Sequence, residues 1–245
     1  MKRINYLLLL VIVVNLATAC GRYMLVKQSY EAKEISINTQ LPKDTHIDSL
    51  IAPQKKLLDS LMNVVIATSE EELIKEKPAG TLNNFCADEM LQIAQQQNPT
   101  AEICIVNYGG IRLSSLPKGA ITVGKIYELL PFDNMIVIQK IDGKTLNDVL
   151  DYIASQGGWP ISGLRFDIQN KKAVHIMIHN EPIDLNKIYT VVLSDYLANG
   201  GDNLAMLKKI PQEPTNLIMR EAFIQAIKKA GVLQIDHEKR IQHVD

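Results

Sequence analysis

Short apolar runs that end in glycine-bearing loops set the strongest limit on what this chain can fold into. Ile103-Cys104-Ile105-Val106 runs straight into Asn107-Tyr108-Gly109-Gly110. A short apolar run bounded by turn residues has the character of a buried strand. Comparable runs lie at 64–67, 135–141, 164–168, 174–178 and 189–193. Residues 169–172 then join two of these as a hairpin, and 240–244 closes the chain as a strand. Between the runs, apolar spacing predicts helices over 48–62, from Thr81 to about Gln95, over 125–130, over 145–155 and over 217–230. The last of these turns Ile218, Phe223, Ile224 and Ile227 inward. No internal repeat is present. This order predicts an α+β fold, with helices layered on a mixed β-sheet.

The N-terminus has a different character. Lys2 and Arg3 precede an apolar run over 6–16, and Ala17-Thr18-Ala19-Cys20 follows. A basic start, an apolar centre and small residues before a cleavage point form a signal peptide. The run is shorter than the roughly 20 residues of a membrane-spanning helix. Small residues ending on Cys20 resemble a lipobox, which makes Cys20 the lipidation site. The alternative is a plain secretory signal with an incidental cysteine. The expected organisation is a lipoprotein signal peptide at 1–19, a tether and first strand at 20–45, and a single domain at 46–245. A lipid anchor holds such a chain on a membrane of the cell envelope. No acidic cluster follows Cys20, which points to the periplasmic face.

Charge narrows the function classes. Lys and Arg number 26 against 27 Asp and Glu, a net charge of −1. That excludes a nucleic-acid partner held by bulk charge. Apolar residues make up 47%, too many for a disordered chain. Cys86 and Cys104 could pair in an oxidising compartment or remain free thiols. His175 and His179 are four apart, but the alternation around them predicts a solvated strand rather than a metal site. No other Cys or His spacing suggests a metal centre, so no cofactor is expected in this chain.

Four loops, three of them bearing glycine, carry groups able to hold a ligand. Asn107-Tyr108-Gly109-Gly110-Ile111-Arg112 offers an amide, close backbone approach at Gly110 and a guanidinium at Arg112. Pro131-Phe132-Asp133-Asn134 offers one aromatic face and one amide. Gly157-Gly158 precedes Trp159, the single tryptophan, which is expected beside the pocket. Asp195-Tyr196-Leu197-Ala198-Asn199-Gly200-Gly201-Asp202 offers a second aromatic and then a carboxylate. Two rings can sandwich a flat base, amides can read ring nitrogens, a carboxylate can accept from sugar hydroxyls and an Arg can meet phosphate. The inventory suits a nucleotide.

Five segments in this order resemble the C-terminal domain of the 5′-nucleotidases. They are Thr81-Leu-Asn-Asn-Phe-Cys-Ala-Asp88, Asn107-x-Gly-Gly-Ile-Arg112, Ile121 through Pro131-Phe-Asp-Asn134, Ser162-Gly-Leu-Arg-Phe166 and Tyr196-Leu-Ala-Asn-Gly-Gly-Asp202. The resemblance implies Phe132 and Tyr196 as stacking rings, with Tyr where family members commonly have Phe. It implies Asn107 and Asn134 at the base or ribose, Asp202 at the ribose hydroxyls, Arg112 with Gly110 at the phosphate end, and Gly157 or Gly158 lining the base pocket. Family members often carry Arg before the opening helix, where this chain has Lys75-Glu76-Lys77-Pro78. Lys77 is the candidate replacement there.

Whole 5′-nucleotidases also carry a metallophosphoesterase domain with two divalent metals. The motifs of that domain are missing from this sequence. The resemblance therefore implies a nucleotide-binding half that works with a separate metallophosphoesterase chain, the two metals belonging to that partner. The alternative is a non-catalytic nucleoside- or nucleotide-binding lipoprotein.

Overall fold

Asp44 starts the first helix by accepting hydrogen bonds from the backbone N–H groups of His46 (3.0 Å) and Ile47 (3.2 Å). The structure, a computed structural model, describes residues 44–245. The expected signal peptide, Cys20 and nearly all of the tether lie outside the described residues. Helix α1, Thr45–Met62, carries Pro53 inside it and buries none of its residues. Its apolar stripe of Leu50, Ile51, Leu57, Leu58 and Leu61 is exposed.

Contacts divide the chain into Met1–Asp48 and Ser49–Asp245. The larger unit contains the strands β1 (Val65–Ser69), β2 (Leu73–Ile74), β3 (Ile103–Ile105), β4 (Ser115–Leu116), β5 (Gly119–Thr122), β6 (Met135–Asp142) and β7 (Ile161–Ser162). It continues with β8 (Leu164–Gln169), β9 (Lys172–Ile178), β10 (Glu181–Pro182), β11 (Ile188–Ser194), β12 (Gln212–Ile218) and β13 (Ile241–His243). Its helices are α2 (Thr81–Gln95), α3 (Val123–Leu129), α4 (Gly143–Ser155), α5 (Asp195–Ala198) and α6 (Met219–Ala230).

A five-stranded sheet of order β12-β6-β11-β3-β7 forms the centre of this unit. β11 runs parallel to β3 and antiparallel to β6, so the sheet is mixed. Alternate residues face opposite ways in a strand. Cys104, Ile136, Ile138 and Val192 accordingly enter one core, with α2 and α6. Ile103, Ile105, Val137, Val191 and Leu193 enter the other. That second core is covered by α4 and by a smaller sheet of order β10-β9-β8-β13. Two strand pairs complete the unit, β1 with β5 and β2 with β4. The fold is the expected α+β arrangement of helices on mixed sheet.

Three expectations need correction. Residues 217–218 belong to strand β12, not to a helix, and Ile218 is partly exposed rather than inward. The helix that follows starts at Met219. The helix expected over 145–155 starts two residues earlier, because Asp142 caps α4 and Gly143 is its first residue. A Cβ at Gly143 would lie 2.1 Å from the carbonyl oxygen of Asp184, so only glycine lets the two segments approach this closely. Trp159 is buried edge-on against Tyr152 and does not line the cleft described below. His175 lies on β9 as expected, with Nδ1 2.9 Å from Asp167 Oδ2.

Cys86 and Cys104 are both free and buried, and burial pushes both thiols up. Burial, with the charge of Asp88, also raises the carboxyl of Glu89 above its ordinary range. The folded chain therefore holds a proton there more tightly than the unfolded chain does. Ionising Glu89 costs stability above its folded pKa, and the cost fades as pH falls through that value. Glu89→Gln is expected to raise the melting temperature at neutral pH and to gain nothing in acid, once the native carboxyl is protonated. A pH series of thermal melts checks this, and an equal change across the series would contradict it.

Candidate functional site

Topology brings three loops to one end of the main sheet. The ends of the parallel strands β3 and β11 point the same way, and the start of antiparallel β6 lies beside the end of β11, with Ser194 opposite Ile136. The loops that leave β3 and β11 and the loop that enters β6 therefore meet. They enclose a cleft of about 360 Å³ lined by Asn107, Gly109, Arg112, Phe132, Asn134, Tyr196 and Asp202.

The rings of Phe132 and Tyr196 are large apolar groups left open to solvent, 47% and 43% exposed. Each sits on a braced segment. Arg220, buried at the start of α6, donates to the carbonyl oxygens of Leu130 (3.3 Å) and Phe132 (3.4 Å) and pairs with Asp133. Its guanidinium also lies 4.3 Å from the centre of the Tyr127 ring. The Met219 N–H donates to the carbonyl oxygen of Asn134 at 2.8 Å. Together these contacts clamp the loop that presents Phe132.

Tyr196 lies on the short helix α5. The carboxylate of Asp195 accepts from the Met135 N–H at 3.0 Å and ties this helix to the start of β6. A Cβ at Gly201 would fall 2.5 Å from the Tyr196 ring, so glycine leaves the ring its place against the backbone. The Tyr196 hydroxyl donates to Asp202 Oδ1 at 2.8 Å and accepts from the Asp202 N–H at 3.1 Å. Asp202 itself holds a left-handed backbone, with φ of 48°.

The polar groups at the floor are less occupied. The carboxamides of Asn107 and Asn134 make no hydrogen bond among the described residues. Gly110 lies under Asn107, where a Cβ would approach the amide oxygen to 2.6 Å. It lines a small recess beside the main cleft, with Phe132 and Asn134. Arg112 Nη1 donates to the Gly109 carbonyl oxygen at 3.2 Å, and its guanidinium carbon stands 5.8 Å from the Phe132 ring centre.

Two expectations fall elsewhere. Gly158 does not line the cleft. Its φ of 99° and its backbone contact with Pro78 account for the glycine. Lys77 donates to the carbonyl oxygen of Gln156 and stands 4.7 Å from the Tyr108 ring centre. Lys75 lies over the same ring at 4.2 Å and donates to the carbonyl oxygens of Ile111 (2.7 Å) and Tyr108 (3.3 Å). Burial and the nearby Arg112 charge lower the Lys75 pKa. Both lysines brace the first loop from behind. Arg112 is thus the cation that lines the cleft itself. Among the described residues, no group of three or more His, Cys, Asp or Glu side chains is placed to hold a metal ion.

Comparison with known proteins identifies the family and the fold. A family model described as 5′-nucleotidase, C-terminal domain, matches residues 64–209, more than half of the chain. The chain belongs to this 5′-nucleotidase C-terminal domain family. It is 23% identical over 186 residues to a 5′-nucleotidase of Vibrio parahaemolyticus, covering 74% of this chain and 33% of that protein. It is 26% identical to the NAD 5′-nucleotidase of Haemophilus influenzae, covering 80% and 38%. Among solved structures, a 5′-nucleotidase precursor from Thermus thermophilus superposes with a TM-score of 0.72 at 32% identity, covering 83% of this chain and 44% of that one. The chain thus spans between a third and just under half of these relatives.

Arg220 is not distinguishable in sequence as a site residue. An arginine early in an amphipathic helix reads as a surface charge until the Pro131–Asn134 loop is known to pack on it.

Proposed function

We propose that this chain binds a nucleoside or nucleotide between Phe132 and Tyr196 and presents it to a separate metallophosphoesterase chain, as half of a split 5′-nucleotidase. The observation that carries the reading is the pair of solvent-open rings facing one cleft, with unpaired amides at its floor and a carboxylate at its rim. A base stacks between the rings, because every base offers a π-face and both rings are already braced. Asn107 and Asn134 have free donors and acceptors for ring nitrogens or exocyclic groups. Asp202 accepts from the sugar. Arg112 meets the first phosphate as a planar donor fork. The partner supplies two divalent metals, which activate water and stabilise the leaving oxygen. This chain's part is to fix the nucleotide so that its ester faces that partner. A lipid anchor at Cys20 would hold the pair at the envelope membrane, facing the periplasm.

Calorimetric titration of the purified protein with adenosine and AMP tests the binding step. Saturable binding of either is expected. Phosphate release from AMP is expected only when a metallophosphoesterase chain is added. Binding without any such gain would leave a non-catalytic nucleotide-binding lipoprotein. No binding of either ligand would overturn the proposal.

A further inference from the structure

We infer that the exposed apolar stripe of α1 is the docking face for the metallophosphoesterase chain, which lays an apolar groove over Leu50, Ile51, Leu57, Leu58 and Leu61. The inference rests on the split arrangement proposed above and adds the surface through which the two chains meet.

From Ser49 onward α1 belongs to the larger unit. The helix has 18 residues, none of them buried, and Pro53 lies inside it. A helix of this length is marginal in water, and a proline takes away one of its backbone hydrogen bonds. Helices in proteins gain most of their stability by packing an apolar face, and this face has no cover among the described residues. Each of the five apolar side chains is more than half exposed, which makes a patch on the order of 500 Å². Val64 and Val65, just beyond the helix, are exposed as well.

Position, width and charge name the occupant. The family match starts at residue 64, just after α1 ends at Met62. The family is a C-terminal domain, so the further length of the relatives precedes it. Helix α1 therefore stands on the side where a single-chain relative carries that length. At about 100° per residue, Leu57 and Ile51 bound a stripe about 120° wide, with Gln54 at its centre. That is wider than the seam of a two-helix coil and suits a groove on a globular partner with one polar group for the Gln54 amide. Two copies paired through the stripe would bury about 1,000 Å² in all, less than a stable interface needs. The polar side carries Lys56 and Lys55, the latter paired with Asp59 at 2.7 Å. It is not the Lys- and Arg-rich side of a helix that lies on lipid.

The test uses the intact protein, tagged at its C-terminus, as bait in a detergent extract of its source cells' envelope. Retained proteins are identified by mass spectrometry and assayed for phosphate release from AMP with Mn²⁺. Leu50→Glu combined with Leu57→Glu places two charges in the stripe. Lys56→Glu makes the same change in net charge on the opposite side of the helix. The unaltered protein and Lys56→Glu are expected to retain a metallophosphoesterase and its activity. The double variant is expected to lose about tenfold or more of both, the effect of spoiling central anchors of an interface. Adenosine affinity and melting temperature are expected to stay unchanged, since no residue of α1 is buried within this chain. Equal retention by the double variant would overturn the inference and leave the split reading standing. A lower melting temperature would assign the stripe to another segment of this chain, and a dimer that the double variant dissolves would assign it to a second copy. Binding to phosphatidylglycerol vesicles that survives Cys20→Ala and is lost in the double variant would assign it to lipid. Each of these three results would overturn the inference as well. If the unaltered protein retains no metallophosphoesterase, the split reading fails and this inference falls with it.

Discussion

Phe132→Ala is expected to weaken nucleoside binding by about 1–3 kcal/mol, or roughly five- to 150-fold, the range for removing one aromatic stacking partner from a base. Tyr196→Ala is expected to fall in the same range, at its upper end, because it also releases Asp202 from its closure. The two rings flank one ligand, so their losses are not expected to add independently. Stability is the control. Both side chains are nearly half exposed, and truncating them opens no core cavity. Each variant should therefore melt close to the unaltered protein while binding poorly. Calorimetry with adenosine, alongside a thermal melt, gives both quantities. An affinity indistinguishable from that of the unaltered protein would remove Phe132 from the binding site.

Arg240→Ala should instead unsettle the fold. Arg240, its side chain 9% exposed, holds Asp88 through two parallel bonds of 2.7 Å, donates to the Ile161 carbonyl oxygen at 2.7 Å and pairs with Asp236. Ser162 adds a 2.6 Å hydrogen bond to Asp88. These contacts join α2, β7 and the segment entering β13. Removing the arginine strands two carboxylates in a partly dry place. The cost is about 3 kcal/mol, the low end for breaking a buried pair, since both aspartates keep some access to water. For a unit of this size that lowers the melting temperature by roughly 6–12 °C. Asp88→Asn, which retains shape and an acceptor, should cost less. A drop for Arg240→Ala no larger than that for Lys55→Ala, an exposed pair on α1, would show that the fork carries no stability. Asp88 and Ser162 thus belong to the fold's framework, although both stand in segments that mark the family in sequence.

The central strands were legible because each is apolar on both faces. Ile103 to Ile105 can be nothing but buried, and the glycine loops beyond them announce where the sheet ends. Strand β12 was not legible. It is an edge strand that contains Pro214, shifts register before Ile218 and takes a left-handed turn at Asn216, so its alternation is broken. The helix expected after it then absorbed its last two residues. In the cleft, Phe132, Asn134, Tyr196 and Asp202 stood out because aromatic, amide and carboxylate groups rarely gather in short turns by accident. Gly158 stood out for the same reason, yet its neighbour is Pro78. A glycine marks close approach without saying what approaches. Lys77 failed similarly, since a cation near a loop in sequence can spend its charge on a nearby carbonyl.

The clamp on the Phe132 loop bears on how a ligand is met. Arg220, Met219 and Asp195 hold both walls of the cleft from opposite sides before anything enters. Association then needs little reordering of the chain, so most of the rotational freedom lost belongs to the ligand. Under the proposed split arrangement such a cleft would act as a rigid jig: it would fix where the far end of its cargo projects, and that direction, more than tightness of grip, is what a second protein working on that far end would require.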